Sequence, residues 1–208
     1  MAPPSTSASV TTTSLSDFDA ESAKVLSPSA LVHVVLQTAN LEAMVEFYVQ
    51  FLGGTICHRN KMLAFITYDD EHHRIALIGI PSLAHKNNGT NGLDHIAFSF
   101  PTLAALLLAY RQRRARGMLP VWSVNHGPTT SLYYKDPDGN KLETQVDNFE
   151  SVHDATVFMQ SPAFAENPIG TDVDPEALIA ALQAGTPEAV LKKRQEIGPR
   201  GLPDLDNM

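Results

Sequence analysis

Hydrophobic and polar positions along this chain run through the same order twice. LVHVVLQT (31–38) is an apolar, β-branched run and predicts a strand. NLEAMVEFYVQFLG (40–53) follows. Asn40 stands where a helix N-cap is needed, and Leu41, Met44, Val45, Tyr48 and Leu52 recur at helical spacing until Gly53 and Gly54 end the pattern. Strands are predicted at TICHR (55–59), MLAFITYD (62–69) and HRIALIGIP (73–81), and a polar linker, LAHKNNGTNG (83–92), comes next. The order then restarts. LDHIAFSF (93–100) predicts a strand, and TLAALLLAYRQRRARG (102–117) a helix that ends in cations and a glycine, as the helix dipole favours. VWSVNHG (121–127), SLYYKD (131–136) and NKLETQVD (140–147) predict three more strands.

The chain therefore holds a repeat. Each copy is strand, helix, then several strands, over about residues 30–82 and 92–148. His33 and His95 occupy equivalent places on the two first strands, 62 residues apart. A pseudo-dyad would bring those strands together and point both imidazoles into one cavity. The expected class is α+β, with 28–150 as one two-module domain. Residues 1–27, rich in Ser, Thr, Ala and Pro, cannot bury enough surface to offset the entropy of ordering, and a flexible tail is expected there. Residues 151–208 are expected to be an extension packed on the core. Residues 148–174 lack clear periodicity, and short helices are predicted at 175–185 and 187–198, each with proline at its first turn.

Composition narrows the function. A net charge of −8 argues against nucleic acid as a partner, since phosphate binding needs a basic surface. No apolar run approaches the length of a membrane span, and the first residues form neither a secretory signal nor an arginine-rich presequence. The single cysteine, Cys57, cannot close an internal disulfide and fits a reducing, cytoplasmic setting; it is expected to be a small core residue. The cluster RQRRARG is expected to be a solvated helix end.

One stretch raises a chemical question. In HGPTTSLYYKDPDGNKLE (126–143) a carboxylate, Glu143, enters a buried-looking strand just after a tight turn. Such a charge is costly unless it is paired or bound to a metal. The two β-α-β-β-β modules resemble the vicinal oxygen chelate superfamily, which includes glyoxalases, bleomycin-resistance proteins and dioxygenases. Within it, VNHGPTTSLYYKDPDGNKLE (124–143) is similar to the signature of type I extradiol ring-cleaving dioxygenases, of the kind that cleave biphenyl-2,3-diol: a histidine, an apolar residue plus Tyr, Asp-Pro-x-Gly, then Glu.

The resemblance covers about residues 30–147. It implies two βαβββ modules forming a half-open mixed barrel around a metal site, with a C-terminal helical extension. It makes His33, His95 and Glu143 the ligands of a non-haem Fe(II), a facial triad with open positions; Mn(II) accepts the same set. EHHRIALIGIP (71–81) resembles the strand that carries the acid–base histidine of ring cleavage, at His73, and His126 and Tyr133 match residues that hydrogen-bond the substrate hydroxyl and the oxygen. The implied partners are a catechol and O₂, and the implied reaction is meta cleavage. Exchange of modules between chains would make the protein a homo-oligomer. Two other functions share the fold. A glyoxalase-type isomerase needs a second carboxylate on the last strand of the first module, and RIALIGIP (74–81) has none. A non-catalytic small-molecule binder needs no His, His, Glu set.

Overall fold

The computed structural model describes residues 25–87 and 90–203. The chain divides into two compact units, Met1–Leu31 and Val32–Met208. Of the first, residues 25–31 are described, and they are irregular and exposed; the expected tail lies outside the described residues as far as position 24. Every element below belongs to the second unit.

The first module is β1 (Val34–Thr38), α1 (Leu41–Leu52), β2 (Thr55–Arg59), β3 (Leu63–Thr67) and β4 (Ile75–Gly79). The second is β5 (His95–Ser99), α2 (Leu103–Arg114), β6 (Trp122–Asn125), β7 (Thr129–Lys135) and β8 (Lys141–Asp147). The strand orders correspond: β1-β4-β3-β2 in one sheet and β5-β8-β7-β6 in the other, where β9 (Thr171–Asp172) adds a short strand beside β6. In each sheet the first strand lies parallel to the last, and the remaining module pairings are antiparallel. The class is α+β with two βαβββ modules. The two sheets stay separate, so the barrel is not closed.

Local chemistry accounts for the helix limits. The Asn40 and Thr102 side chains accept from the amides of Ala43 and Ala105, which caps the N-termini of α1 and α2. Gly53 ends α1 at φ 63°, a left-handed conformation that a Cβ disfavours. Met44, Val45, Tyr48 and Phe51 of α1 share one core with Leu103, Leu106, Leu107 and Tyr110 of α2 and with Ala64, Ile66, Leu77, Leu132, Tyr134 and Leu142 from the sheets. Strand alternation then sends Tyr133 and Glu143 to the opposite face.

Several expectations are corrected. The first strand begins at Val34, so His33 stands just before it. Cys57 is exposed, because all five residues of β2, an edge strand, are exposed. The arginine cluster is a solvated helix end at Arg111, Arg114 and Arg116, and Arg113 departs from it. Arg111 and Arg114 pair with Glu176. Arg113 is buried, with its guanidinium 4.2 Å from the Phe51 ring centre, and its Nε donates to the Phe51 carbonyl at 2.8 Å. That carbonyl lies in the last turn of α1, where acceptors lack intrahelical partners. The stretch 148–174 is structured as α3 (Val152–Met159), α4 (Pro162–Glu166) and β9. The predicted helices shorten to α5 (Pro175–Gln183) and α6 (Glu188–Leu191). Among the described residues no helix is long and apolar enough to cross a membrane.

Arg194 ties this last part of the chain to the second sheet. It is 7% exposed, and its guanidinium donates to the carbonyls of His126, Asn167 and Ala163 while pairing with Glu196. Arg194→Ala would strand these acceptors. The expected cost is about 3 kcal/mol of unfolding free energy, read from urea denaturation. A loss under about 0.5 kcal/mol would show that the anchor does not matter.

Candidate metal centre

The turn DPDGN launches β8. The Asp136 carboxylate accepts the amides of Asp138 and Asn140 and the hydroxyl of Tyr48, which locks the turn onto α1, and Gly139 takes the φ of 82° that the reversal needs. β8 then leaves with Leu142 and Thr144 facing the core and Glu143 facing away. The registers set what surrounds Glu143. It lies opposite Tyr133 on β7 and Ala97 on β5; Tyr133 lies opposite Trp122 on β6, and His95 lies opposite Lys141. Trp122, Tyr133, Glu143 and His95 therefore crowd one patch of one sheet face.

Glu143 is 5% exposed, and its Oε2 lies 3.0 Å from His95 Nε2. Burial alone would raise its carboxyl, but hydrogen bonds from His95 and Ser131 hold it below the ordinary range. His95 is pushed up to about 9, chiefly by the hydrogen bond to Glu143 and against the effect of its burial. Its other nitrogen, Nδ1, lies 2.7 Å from Asp94 Oδ2, and Lys141 Nζ lies 2.6 Å from Asp94 Oδ1.

On the other side of Glu143, the Tyr133 hydroxyl lies 3.0 Å from His126 Nε2, and His126 Nδ1 donates to the Ile169 carbonyl at 2.5 Å. Because that carbonyl can only accept, Nδ1 holds a proton, and in the neutral ring Nε2 accepts from Tyr133. Burial lowers the His126 pKa and so favours the neutral ring. Burial, and then the Glu143 charge, raise the Tyr133 phenol, so it keeps its proton. Trp122 stacks on Tyr133 with ring centres 5.0 Å apart. A cavity of about 240 Å³ opens here, lined by His95, Trp122, His126, Tyr133, Ile169 and Leu202 among others.

His33 and His73 form a second group. Their rings stack with centres 4.5 Å apart, and His73 also stacks on Phe65 at 4.5 Å. The pairing follows from the chain path, since the Val34 amide donates to the Arg74 carbonyl and so sets residue 33 beside residue 73. The His73 pKa is lowered by desolvation and then by His72 and His33. The structure thus gathers His95, Glu143, Tyr133 and His126, and separately His33 and His73. Among the described residues no three His, Cys, Asp or Glu side chains converge on one metal position. A cavity of about 410 Å³ is lined both by Val34, which follows His33, and by Asp94, which precedes His95.

The His95–Glu143 pair has the donor chemistry of a divalent-cation site. Ligands at right angles around a metal, each about 2.1 Å from it, lie roughly 3 Å apart. The His95–Glu143 spacing matches this, and one imidazole with one carboxylate suits iron or manganese. The third expected donor, His33, is turned to His73 instead. Sequence reasoning missed Asp94 and Ser131. The available signal was Asp94 itself, a carboxylate adjacent to a candidate ligand.

The family model of the glyoxalase/bleomycin resistance protein/dioxygenase superfamily matches residues 30–144. The chain belongs to this superfamily. It is 46% identical over 156 residues to biphenyl-2,3-diol 1,2-dioxygenase 2 of Rhodococcus globerulus, covering 74% of this chain and 82% of that protein. It is 45% identical over 166 residues to biphenyl-2,3-diol 1,2-dioxygenase 3 of the same organism, covering 79% and 87%. A probable lactoylglutathione lyase of Synechocystis is 26% identical over 125 residues, covering 54% of this chain and 92% of that protein. Among solved structures, a glyoxylase/bleomycin resistance protein/dioxygenase domain from Frankia sp. EAN1pec superposes with a TM-score of 0.50 at 19% identity, covering 61% of this chain and 97% of that one, which supports the fold. The two-module region that carries the patch around Glu143 is thus the region that the superfamily matches.

Proposed function

We propose that this protein is an extradiol ring-cleaving dioxygenase that adds O₂ to a catechol-type aromatic. The observation that carries the reading is the His95–Glu143 donor pair beside the Tyr133–His126 hydrogen bond, in a chain 46% identical to a protein named for that reaction. In this reading about 30–82 and 92–148 are the catalytic modules, 151–208 is an extension, and the protein acts on small molecules in the cytoplasm.

A non-haem Fe(II), or Mn(II), held by His95, Glu143 and His33, would bring Lewis acidity and a place for both reactants. The remaining roles belong to the chain's own side chains. His73, held toward neutrality near pH 7, accepts a phenolic proton and later returns one. Tyr133 keeps its proton, which lies toward His126 Nε2 at rest and would turn onto developing oxyanion charge in the reaction. His126 orients that hydroxyl through Nε2 while its Nδ1 is tied to Ile169. Trp122 and Ile169 supply apolar wall against an aromatic ring and exclude water. β4 (Ile75–Gly79) carries no carboxylate, so the extra ligand expected of a glyoxalase is missing there.

The test is anaerobic loading with Fe(II), addition of catechol or 3-substituted catechols, and admission of air. A yellow ring-opened product with one O₂ consumed per catechol is expected; no product from any catechol would exclude the reaction. Tyr133→Phe is expected to keep its iron and lose about tenfold in kcat, the scale of one hydrogen bond. An unchanged kcat would remove Tyr133 from the chemistry.

A further inference from the structure

We propose that Asp94, itself held by Lys141, is the positioning residue of His95 and presets the His95–Glu143 pair for a metal ion before His33 engages. This rests on the metal-dependent reading above. An imidazole can offer a metal only one nitrogen, and which one depends on the partner of the other. Here Nδ1 lies 2.7 Å from Asp94 Oδ2 and Nε2 lies 3.0 Å from Glu143 Oε2, so both nitrogens donate to carboxylates; a metal ion would replace the Nε2 proton, while Nδ1 stays on Asp94. Outer partners of this kind fix the tautomer and raise the basicity of the ligand.

The placement comes from the parallel pairing of β5 with β8. His95 and Lys141 are direct partners in the register, so the lysine reaches the carboxylate that precedes His95. One strand thereby carries Glu143 and, two residues earlier, the cation that steadies Asp94. Asp94 is exposed and would otherwise be free to turn away, whereas the Lys141 side chain is only 15% exposed.

The first module lacks this arrangement. The residue before His33 is Val32, and the residue at the Lys141 position is Arg74, whose guanidinium goes to Asp69 and to the Val32 carbonyl. His33 stacks on His73 and is exposed. The two histidines of the repeat are thus unequal. His95 is oriented in advance, and His33 closes on the ion last.

The test uses the full chain and Fe(II) alone, with dissociation constants measured anaerobically by chelator competition. Asp94→Ala is expected to weaken Fe(II) binding about 10–100-fold. Asp94→Asn, whose amide oxygen can still accept from Nδ1, is expected to recover most of that affinity. Lys141→Met should weaken binding less than Asp94→Ala, and the double variant should bind no worse than Asp94→Ala, because the lysine acts through the aspartate. Wild-type affinity in Asp94→Ala, or a lowered melting temperature with unchanged affinity, would overturn the positioning role and leave the dioxygenase reading standing. A wild-type chain that takes up no Fe(II) would overturn both.

Discussion

Glu143→Ala is expected to abolish both iron retention and ring cleavage and to leave the fold in place. Glu143 is the carboxylate that meets His95 Nε2, and Ser131 also hydrogen-bonds to it. Removing a ligand should cost more than the roughly 10–100-fold expected for an outer partner. The fold should survive because the core lies on the other face of β8, where Leu142, Thr144 and Val146 are fully packed and unaffected. His95 would keep Asp94 as its partner. Iron content after gel filtration, oxygen uptake with 3-substituted catechols and the circular dichroism of the variant test this together. Unchanged turnover in a well-folded variant would refute the assignment of the metal centre.

His73→Gln is expected to retain iron but slow turnover by about 10²-fold or more, the usual scale for losing an acid–base group. His73 stands among imidazoles and beside Phe65, an environment that disfavours its charged form and keeps it ready to accept a proton. Glutamine has a similar reach and still forms hydrogen bonds, but it cannot take up a proton near neutral pH. The measurement is kcat against iron content. If the variant turns over at the wild-type rate, the proton passes through another group. If it loses iron instead, His73 acts by holding His33 in place, which their 4.5 Å stack would allow.

The repeat was legible because it is a local pattern. Each module's strand, helix and strand order is spelled in apolar runs a few residues long, with Asn40 and Gly53 marking the ends of α1. The side of the strand on which Glu143 stands was legible for a related reason. A tight turn followed by strand alternation is decided within a few residues, and the family signature adds the histidine and tyrosine to it. Other residues depended on distant partners. Cys57 looks like a core residue until its strand proves to be an edge. Arg113 looks like a solvated cation until the Phe51 carbonyl, 62 positions away, takes its Nε hydrogen bond. The segment 148–174 folds as short helices whose ends are set by Ser151 and Ser161 caps rather than by a long amphipathic stripe.

Sequence by itself therefore determined the α+β class, the doubled βαβββ order, membership of the superfamily's region, and the residue types available for chemistry. These follow from short-range periodicity, turn chemistry and a spaced motif, all of which are written along one dimension. Tertiary structure alone decided which of those residues meet. The parallel register of β5 with β8 set His95 against Glu143 and brought Asp94 and Lys141 to its far side. The path of the chain before β1 gave His33 to His73. Such meetings depend on hydrogen-bond register and packing between segments tens of residues apart, and a one-residue slip of β8 alone would turn Glu143 and Lys141 to the other face.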